Sequence, residues 1–307
     1  MRGSSLFTFI LFIASTITAM PSFARDFYVD NVQGDDRNDG LAQFRGTSGS
    51  GPFKTIARAL RKVDGGDRVF LAKNADPYRE SITLEGRNCS GNSFQAFQLI
   101  GNGATLDGST TIGEEAWEHF AGNVFRFRPD RPKHQILFLD ARPLPKVDAN
   151  NRQQLSSLEP LHWALHQNHI YFCVEQDKLP SSYNLSCCGH SVGITLYQVH
   201  GVVISDLTVQ GFQLDGVNAH DLVSNAHIQS STLRGNGRSG VSIGGASRFR
   251  IESCLIGNNG NAQVRTEGFS RTELKDCDLV ENQEAWRIER DGGKLTFDGH
   301  ELDQSWK

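Results

Sequence analysis

The sequence predicts an all-β fold in which short parallel strands stack into a solenoid, and three observations predict it. The C-terminal part repeats at a step of 23 or 24 residues, apolar residues recur in fixed columns through the repeats, and amides return at one turn position. Aligned, the repeats read "VGITLYQVHGVVISDLTVQGF" from 192, "DGVNAHDLVSNAHIQSSTLRGNG" from 215, "SGVSIGGASRFRIESCLIGNNG" from 239 and "AQVRTEGFSRTELKDCDLVENQ" from 262. An incomplete fifth, "AWRIERDGGKLTFDG", starts at 285.

The first column holds Ile194, Val217, Val241, Val264 and Ile288, the second Ile204, Ile228, Ile251 and Leu274, and the third Val209, Leu233, Ile256 and Leu279. Three short strands per repeat, each pointing alternate residues inward, describe the three walls of a coil. A meander of hairpins would space its strands evenly, but nothing would then hold the same chemistry in the same column of every repeat. Asn236, Asn259 and Asn282 share a turn position, which suits amides that hydrogen-bond up the stack and tolerate a left-handed backbone.

Ahead of the repeats, Arg2, the apolar run "LFTFILFIA" and the small-residue end "SFA" read as an export signal over 1–24, cleaved after Ala24. No later stretch is long and apolar enough to span a bilayer, so a secreted, periplasmic or cell-surface location without membrane attachment is expected. Residues 25–110 hold a cap and the first coils. Within them Phe53, Ile56, Ala57, Leu60 and Val63 recur at helical spacing, with Pro52 in the first turn and "DGG" as the stop. A single amphipathic helix here is expected to cover the open end of the stack. Residues 111–190 break the repeat, and "ILFLDARPLPKV" and "LHWALHQNHIYFCVEQDKLPSSY" read as hairpins of an inserted β lobe, the second turning at "HQNH". Residues 191–300 are the repeats. The tail 301–307 offers little to cap the far end, where a partner subunit is expected to dock if one exists.

Charge and cysteines narrow the function. Lys plus Arg number 31 against 35 Asp plus Glu, a net charge of −4, and no basic face clusters, so nucleic acid is not an expected partner. The six cysteines follow no C-x-x-C spacing and read as structural. Cys254 and Cys277 share a column with Leu207 and Ser231, where a buried thiol pair is favoured over a bridge between stacked strands.

The segment "FYVDNVQGDDRNDGLAQFRGTSGSGPFKTIARALRKVDGGDRVFLAKNADPYRESITL" resembles the N-terminal signature of the secreted right-handed parallel β-helix proteins, the pectate-lyase-like superfamily. A Tyr-Val strand, a G-x-D-x-N-x-G loop, a P-F-x-T-I-x-x-A helix and a G-D-x-V strand ending in Y-R-E follow in that order, and the likeness continues through "FQLIGNGATLDGS". The resemblance implies a right-handed parallel β-helix, and a polysaccharide lying along the outer parallel sheet. There, in the resembled enzymes, acidic residues hold calcium or act as acids and a Lys or Arg abstracts a proton. It does not single out an activity, because lyases, hydrolases, epimerases and non-catalytic proteins share the fold.

Three places carry candidate chemistry. The loop "DNVQGDDRNDG" offers Asp30, Asp35, Asp36 and Asp39, which read either as turn residues satisfying backbone groups or as oxygen ligands for Ca²⁺. His162, His166 and His169 have a spacing that would suit zinc on a helix, but a hairpin does not bring them together. On the outer face, Thr195, Asn218, Ser242, Arg265 and Glu289 form a row beside Gly193, Gly216, Gly240, Gln263 and Arg287, followed by Tyr197, His220, Gly244 and Glu267, with Asp215 and Asp221 at the margins. A lyase acting on uronates would use Arg265 or Arg287 as base or carboxylate clamp, with Asp215, Glu267 and Glu289 as metal ligands or acids. A glycosidase would pair Asp215 with Glu267 or Glu289. A non-catalytic binding or cell-surface structural protein would need only the flat polar face, and the brevity of the stack favours that alternative.

Overall fold

The computed structural model describes residues 24–92, 94–280 and 286–302. Residues 1–23, which hold nearly all of the expected export signal, Asn282 and residues 303–307 lie outside the described residues.

The three columns form the core of one parallel β-helix. Ile194, Val217, Val241, Val264 and Ile288 are paired in register across successive strands, and the column is extended at its start by Ile82. These strands, Ile82–Glu85, Ile194–Tyr197, Asp215–His220, Ser239–Ile243 and the first halves of Ala262–Lys275 and Trp286–Phe297, form the first wall. The second column runs from Phe27 through Val69, Leu99, Ile204, Ile228, Ile251 and Leu274 to Phe297, so it crosses from the N-terminal signature straight into the repeats. The third runs Leu106, Val209, Leu233, Ile256 and Leu279. Nearly every member is fully buried, and each such Val, Leu or Ile contributes about 1.5–3 kcal/mol by leaving water.

Left-handed residues mark the corners where a strand folds into the next wall. Between the second and third walls these residues are Asn102, Asp206, Ser230, Ser253, Asp276 and Asp298, with φ of 48° to 52°. Asn, Asp and Ser tolerate this region because their short polar side chains satisfy nearby backbone groups. At the next corner the left-handed residues are Gly211, Gly235 and Asn258. The amide ladder therefore sits one residue later than a left-handed role would place it. Asn236 and Asn259 are fully buried, and Asn236 Nδ2 donates to Asn259 Oδ1 at 3.0 Å while the Nδ2 of Asn259 reaches Gln263 Oε1 at 2.9 Å. Each ladder oxygen also accepts a backbone N–H, Phe212 N to Asn236 and Asn236 N to Asn259.

The N-terminal helix is shorter than its apolar spacing predicts, Ile56–Leu60. Thr55 is its N-cap, accepting from Arg58 N at 3.1 Å, and Glu80 accepts from Ile56 N and Ala57 N at 2.8 and 3.0 Å. With the start fixed there, Pro52 precedes the helix and Phe53 bridges in parallel to Val29. Ile56 and Ala59 are buried, and the helix packs on Asp26–Val29 and Ile82–Glu85.

Between Phe97–Asp107 and Ile194–Tyr197 the chain leaves the stack as two antiparallel sheets of four strands each. The two hairpins read from sequence are present. Leu137–Leu139 and Arg142–Pro143 turn at Asp140 and Ala141, and Trp163–His166 and His169–Cys173 turn at Gln167 and Asn168, all four turn residues having positive φ as such tight turns require. A third hairpin, Glu118–Ala121 with Val124–Phe127, and a short helix, Arg152–Ser156, carried no clear signal. Gly237 seats the lobe on the stack, because a Cβ there would lie 1.8 Å from His134 O.

At the far end, His300–Glu301 folds back antiparallel onto Trp286–Phe297 and Leu302 is buried. Arg290 occupies the inward position that Ala219 and Ile243 fill below it, and its guanidinium donates to Leu302 O and Gly293 O, both at 2.8 Å. Leu295 and Leu302 close this end of the core, with the Arg290 guanidinium held to the backbone beside them. All six cysteines are free and buried, Cys254 and Cys277 among them.

The corner residues give a direct test. Ser253 is exposed, so its substitutions report the backbone alone: Ser253→Val should cost about 1–2 kcal/mol in urea unfolding, and Ser253→Gly close to nothing.

Candidate functional site

The first wall presents two outward rows. One runs Thr83, Thr195, Asn218, Ser242, Arg265 and Glu289, paired in register as the repeat alignment requires. The other runs Glu85, Tyr197, His220, Gly244, Glu267 and Asp291. The glycines expected beside them do not face the groove. A Cβ on Gly216 would meet Asn236 Nδ2 at 2.8 Å, and one on Gly240 would meet Ile256 and Asn259 Nδ2 at 2.5 and 2.9 Å. The backbone bends as it joins each strand, and this column turns under the amide ladder, where Gln263 is fully buried. Arg287 follows Gln263 in that column.

Charge in the groove is arranged in two sets. Asp215 is fully buried, and its carboxylate accepts from Arg238 Nε and Nη2, Ser239 Oγ and Asn218 Nδ2 at 3.0, 2.5, 2.6 and 2.9 Å. It is saturated from within and does not open to solvent, while the Asp215 pair holds the Arg238 guanidinium firmly charged. Arg238 lies just before its strand, and its role had no signal in the column pattern. In the second set Arg265 Nη2 pairs with Glu267 Oε1 at 3.1 Å, and Arg265 Nε stands 3.7 Å from Glu289 Oε2, an ion pair without a hydrogen bond. One guanidinium, itself largely buried, therefore serves both carboxylates.

Between these sets lies a depression of about 230 Å³ lined by Asn218, His220, Arg238, Ser242, Gly244 and Glu267. Gly244 makes it. A Cβ at this position would meet nothing nearer than Glu267 Cβ at 3.8 Å, so the missing side chain leaves open space in the row between His220 and Glu267. Those two residues are two strand spacings apart, roughly 9–10 Å, about the span of one sugar ring and its flanking oxygens. His220 leans on Tyr197, ring centroids 5.3 Å apart, and its Nδ1 lies 3.4 Å from Asp221 Oδ2.

The acidic loop is occupied with its own backbone. Asp30 accepts from Val32 N, Gln33 N and Asn74 Nδ2, Asp36 from Lys54 N, Thr55 N and Thr55 Oγ1, and Asp39 from Leu41 N and Gly51 N. Asp35 is clasped by Arg37, which drives its carboxyl far below the usual range. His166 and His169 face each other across the hairpin, while His162 Nδ1 lies 3.1 Å from Pro160 O. Among the described residues no three His, Cys, Asp or Glu side chains gather as a metal site requires.

A family profile for the right-handed β-helix region matches residues 162–306. The chain folds as a right-handed parallel β-helix. A solved glycoside hydrolase superposes on this β-helix with a TM-score of 0.62 at 10% identity, over 83% of this chain and 73% of the other. The complex of XylC with xylose covers 89% of this chain and 69% of that one at 12% identity and a TM-score of 0.45. Pectate lyase Pel9A covers 90% and 62% at 11% identity and a TM-score of 0.44. At such identities the likeness is one of fold, and it rests on the glycoside hydrolase. No curated protein matches the β-helix in sequence.

Two outcomes follow from the geometry. Asp215→Ala strands Arg238 and should cost about 3–5 kcal/mol in urea unfolding, whereas Glu267→Gln should cost less than about 1 kcal/mol. His134, on the lobe beside this region, has its pKa held below the ordinary 6.5, first by burial and then by Arg238. The folded form then binds this proton less readily than the unfolded chain. The stability His134 contributes is complete above about pH 7 and is lost as pH falls through 6.5 and on to the lower folded value. Replacing His134 by Asn, which tolerates its φ of 51°, should flatten the fall in melting temperature over that window by comparison with the wild type.

Proposed function

We propose that the protein is a secreted carbohydrate-active β-helix protein that holds a polysaccharide along the outer parallel sheet and cleaves it at the depression opened by Gly244. The observation that carries this reading is the gap itself. An imidazole, His220, and a carboxylate, Glu267, flank an empty, polar, solvent-facing space, with Arg238 and Arg265 beside it. Two groups able to exchange protons on either side of a bound sugar are what elimination or hydrolysis of a glycosidic bond requires. The guanidinium of Arg238 supplies fixed positive charge toward a uronate carboxylate or a developing oxyanion. The fold is one that a glycoside hydrolase also carries.

A second reading is favoured by a different observation. Asp215 with Arg238, and Arg265 with Glu267 and Glu289, already neutralise one another within the sheet, as a face built only to bind would arrange them. In that reading the groove grips a polysaccharide without reacting with it.

Purified protein offered polygalacturonate, alginate, chondroitin and xylan, with and without Ca²⁺, separates the two. Cleavage should release reducing ends, with the ultraviolet absorbance of an unsaturated uronate if the reaction is elimination. Glu267→Gln should lower the rate by about a hundredfold or more and His220→Gln comparably, since each removes a proton-transfer group. Binding of a polymer without cleavage leaves the non-catalytic reading, and cleavage unchanged in both variants removes the Gly244 depression as its site.

A further inference from the structure

The three coils that carry His220, Gly244 and Glu267 continue over the corner into the second wall. Two residues on from each stand Leu222, Ala246 and Phe269, all exposed, with Phe269 N donating to Gly245 O at 2.9 Å. Leu222 is 67% and Phe269 89% exposed, so two large apolar side chains stand clear of the protein on the rim of the groove. Two residues further, past the rim, Arg248 is paired in register with Arg271, and Arg271 with Lys294.

The neighbouring columns of the second wall are charge-matched and this one is not. Arg250 meets Glu273 at 2.9 Å and Lys275 meets Glu252 at 2.8 Å, each across one rung. Beside the corner, three cations instead follow one another at strand spacings of roughly 4.8 Å. Among the described residues neither Arg248 nor Arg271 forms an ion pair, and Lys294 reaches only Glu301, at 3.7 Å. Like charges directly opposite one another in a sheet repel, so the column is unfavourable unless an anion lies on it. A small anion would use the guanidinium forks and leave Phe269 in water, and a membrane would call for more apolar surface than two side chains on a narrow rim. A sugar acid uses both features, its carboxylate in a guanidinium fork and the C–H face of its ring on the aromatic one.

We propose that this corner is a binding track for an acidic polysaccharide, with carboxylates on Arg248 and Arg271 and a sugar ring on Phe269, leading the polymer over the rim to the Gly244 depression. The inference rests on the reading that the protein's ligand is a polysaccharide, and narrows that ligand to one carrying uronate units.

Calorimetric titration of the full chain with polygalacturonate, alginate and chondroitin, and with neutral xylan as control, tests it. At least one acidic polymer should bind, more weakly at high salt, and xylan at least about tenfold more weakly. Arg248→Ala/Arg271→Ala should lower affinity about tenfold or more and flatten its salt dependence, and Phe269→Ala should lower it about fivefold with the salt dependence kept. Arg250→Ala/Lys275→Ala, on the same wall but already paired, should bind within about twofold of the wild type. Both track arginines are exposed, and removing them should leave the melting temperature unchanged or raise it, since the repulsion goes with them. Wild-type affinity in the folded Arg248→Ala/Arg271→Ala variant overturns the proposal, as does an equal loss in Arg250→Ala/Lys275→Ala, equal binding of xylan or no binding of any polymer. Affinity that responds to Arg265→Ala and not to the corner variants also overturns it, and leaves the groove reading standing. Binding to phosphatidylglycerol vesicles that Phe269→Ala abolishes, with no binding of the acidic polymers, overturns it in favour of a membrane surface. Loss in the corner variants with affinity kept in Glu267→Gln supports the track, and if no polymer is then cleaved, only the cleaving reading of the groove is withdrawn.

Discussion

Every strand of the stack must hydrogen-bond to the strand above and the strand below, and this one requirement sets the rest of the structure. A coil one residue too long would turn its apolar column outward, because side chains alternate at a period of two. The walls therefore keep their register from Phe27 to Phe297 along the second column, and irregularity is confined to corners. The lobe obeys the same rule. It leaves the stack after Phe97–Asp107 and returns before Ile194–Tyr197, so its irregular length disturbs no ladder.

The walls were legible in the sequence because buried strands demand apolar residues at fixed intervals, and the demand repeats. The corners were less so. A left-handed backbone accepts Asn, Asp or Ser, and residues 102, 206, 230, 253 and 276 use three different types, so no single letter marks the column. The groove was read in part. Thr195 through Glu289 lie on the outer face as alternation dictates, but alternation assumes a straight strand, and the bend where each strand begins sends Gly216 and Gly240 toward the amides. Arg238 precedes its strand, so it fell in no column. Its partner, Asp215, is set by tertiary contact.

The groove's electrostatics follow from the same stacking. Charged residues on neighbouring rungs are one strand spacing apart, close enough for an ion pair to form wherever opposite signs meet in a row. Arg265 meets carboxylates on its own rung and the next, and Arg238 reaches to Asp215 one rung back. Among the described residues the only interruption of the outer row with chemistry on both sides is Gly244, and absence of a side chain is what gives that position its shape.

Gly237 fixes the lobe against one particular coil. The stack is a ruler with divisions of roughly 4.8 Å, and the lobe is clamped at one mark. A coil duplicated elsewhere in the chain can move the lobe relative to the groove only by whole divisions. Descendants of this architecture would therefore change the length of chain they span in steps of one coil, and intermediate lengths are closed to them.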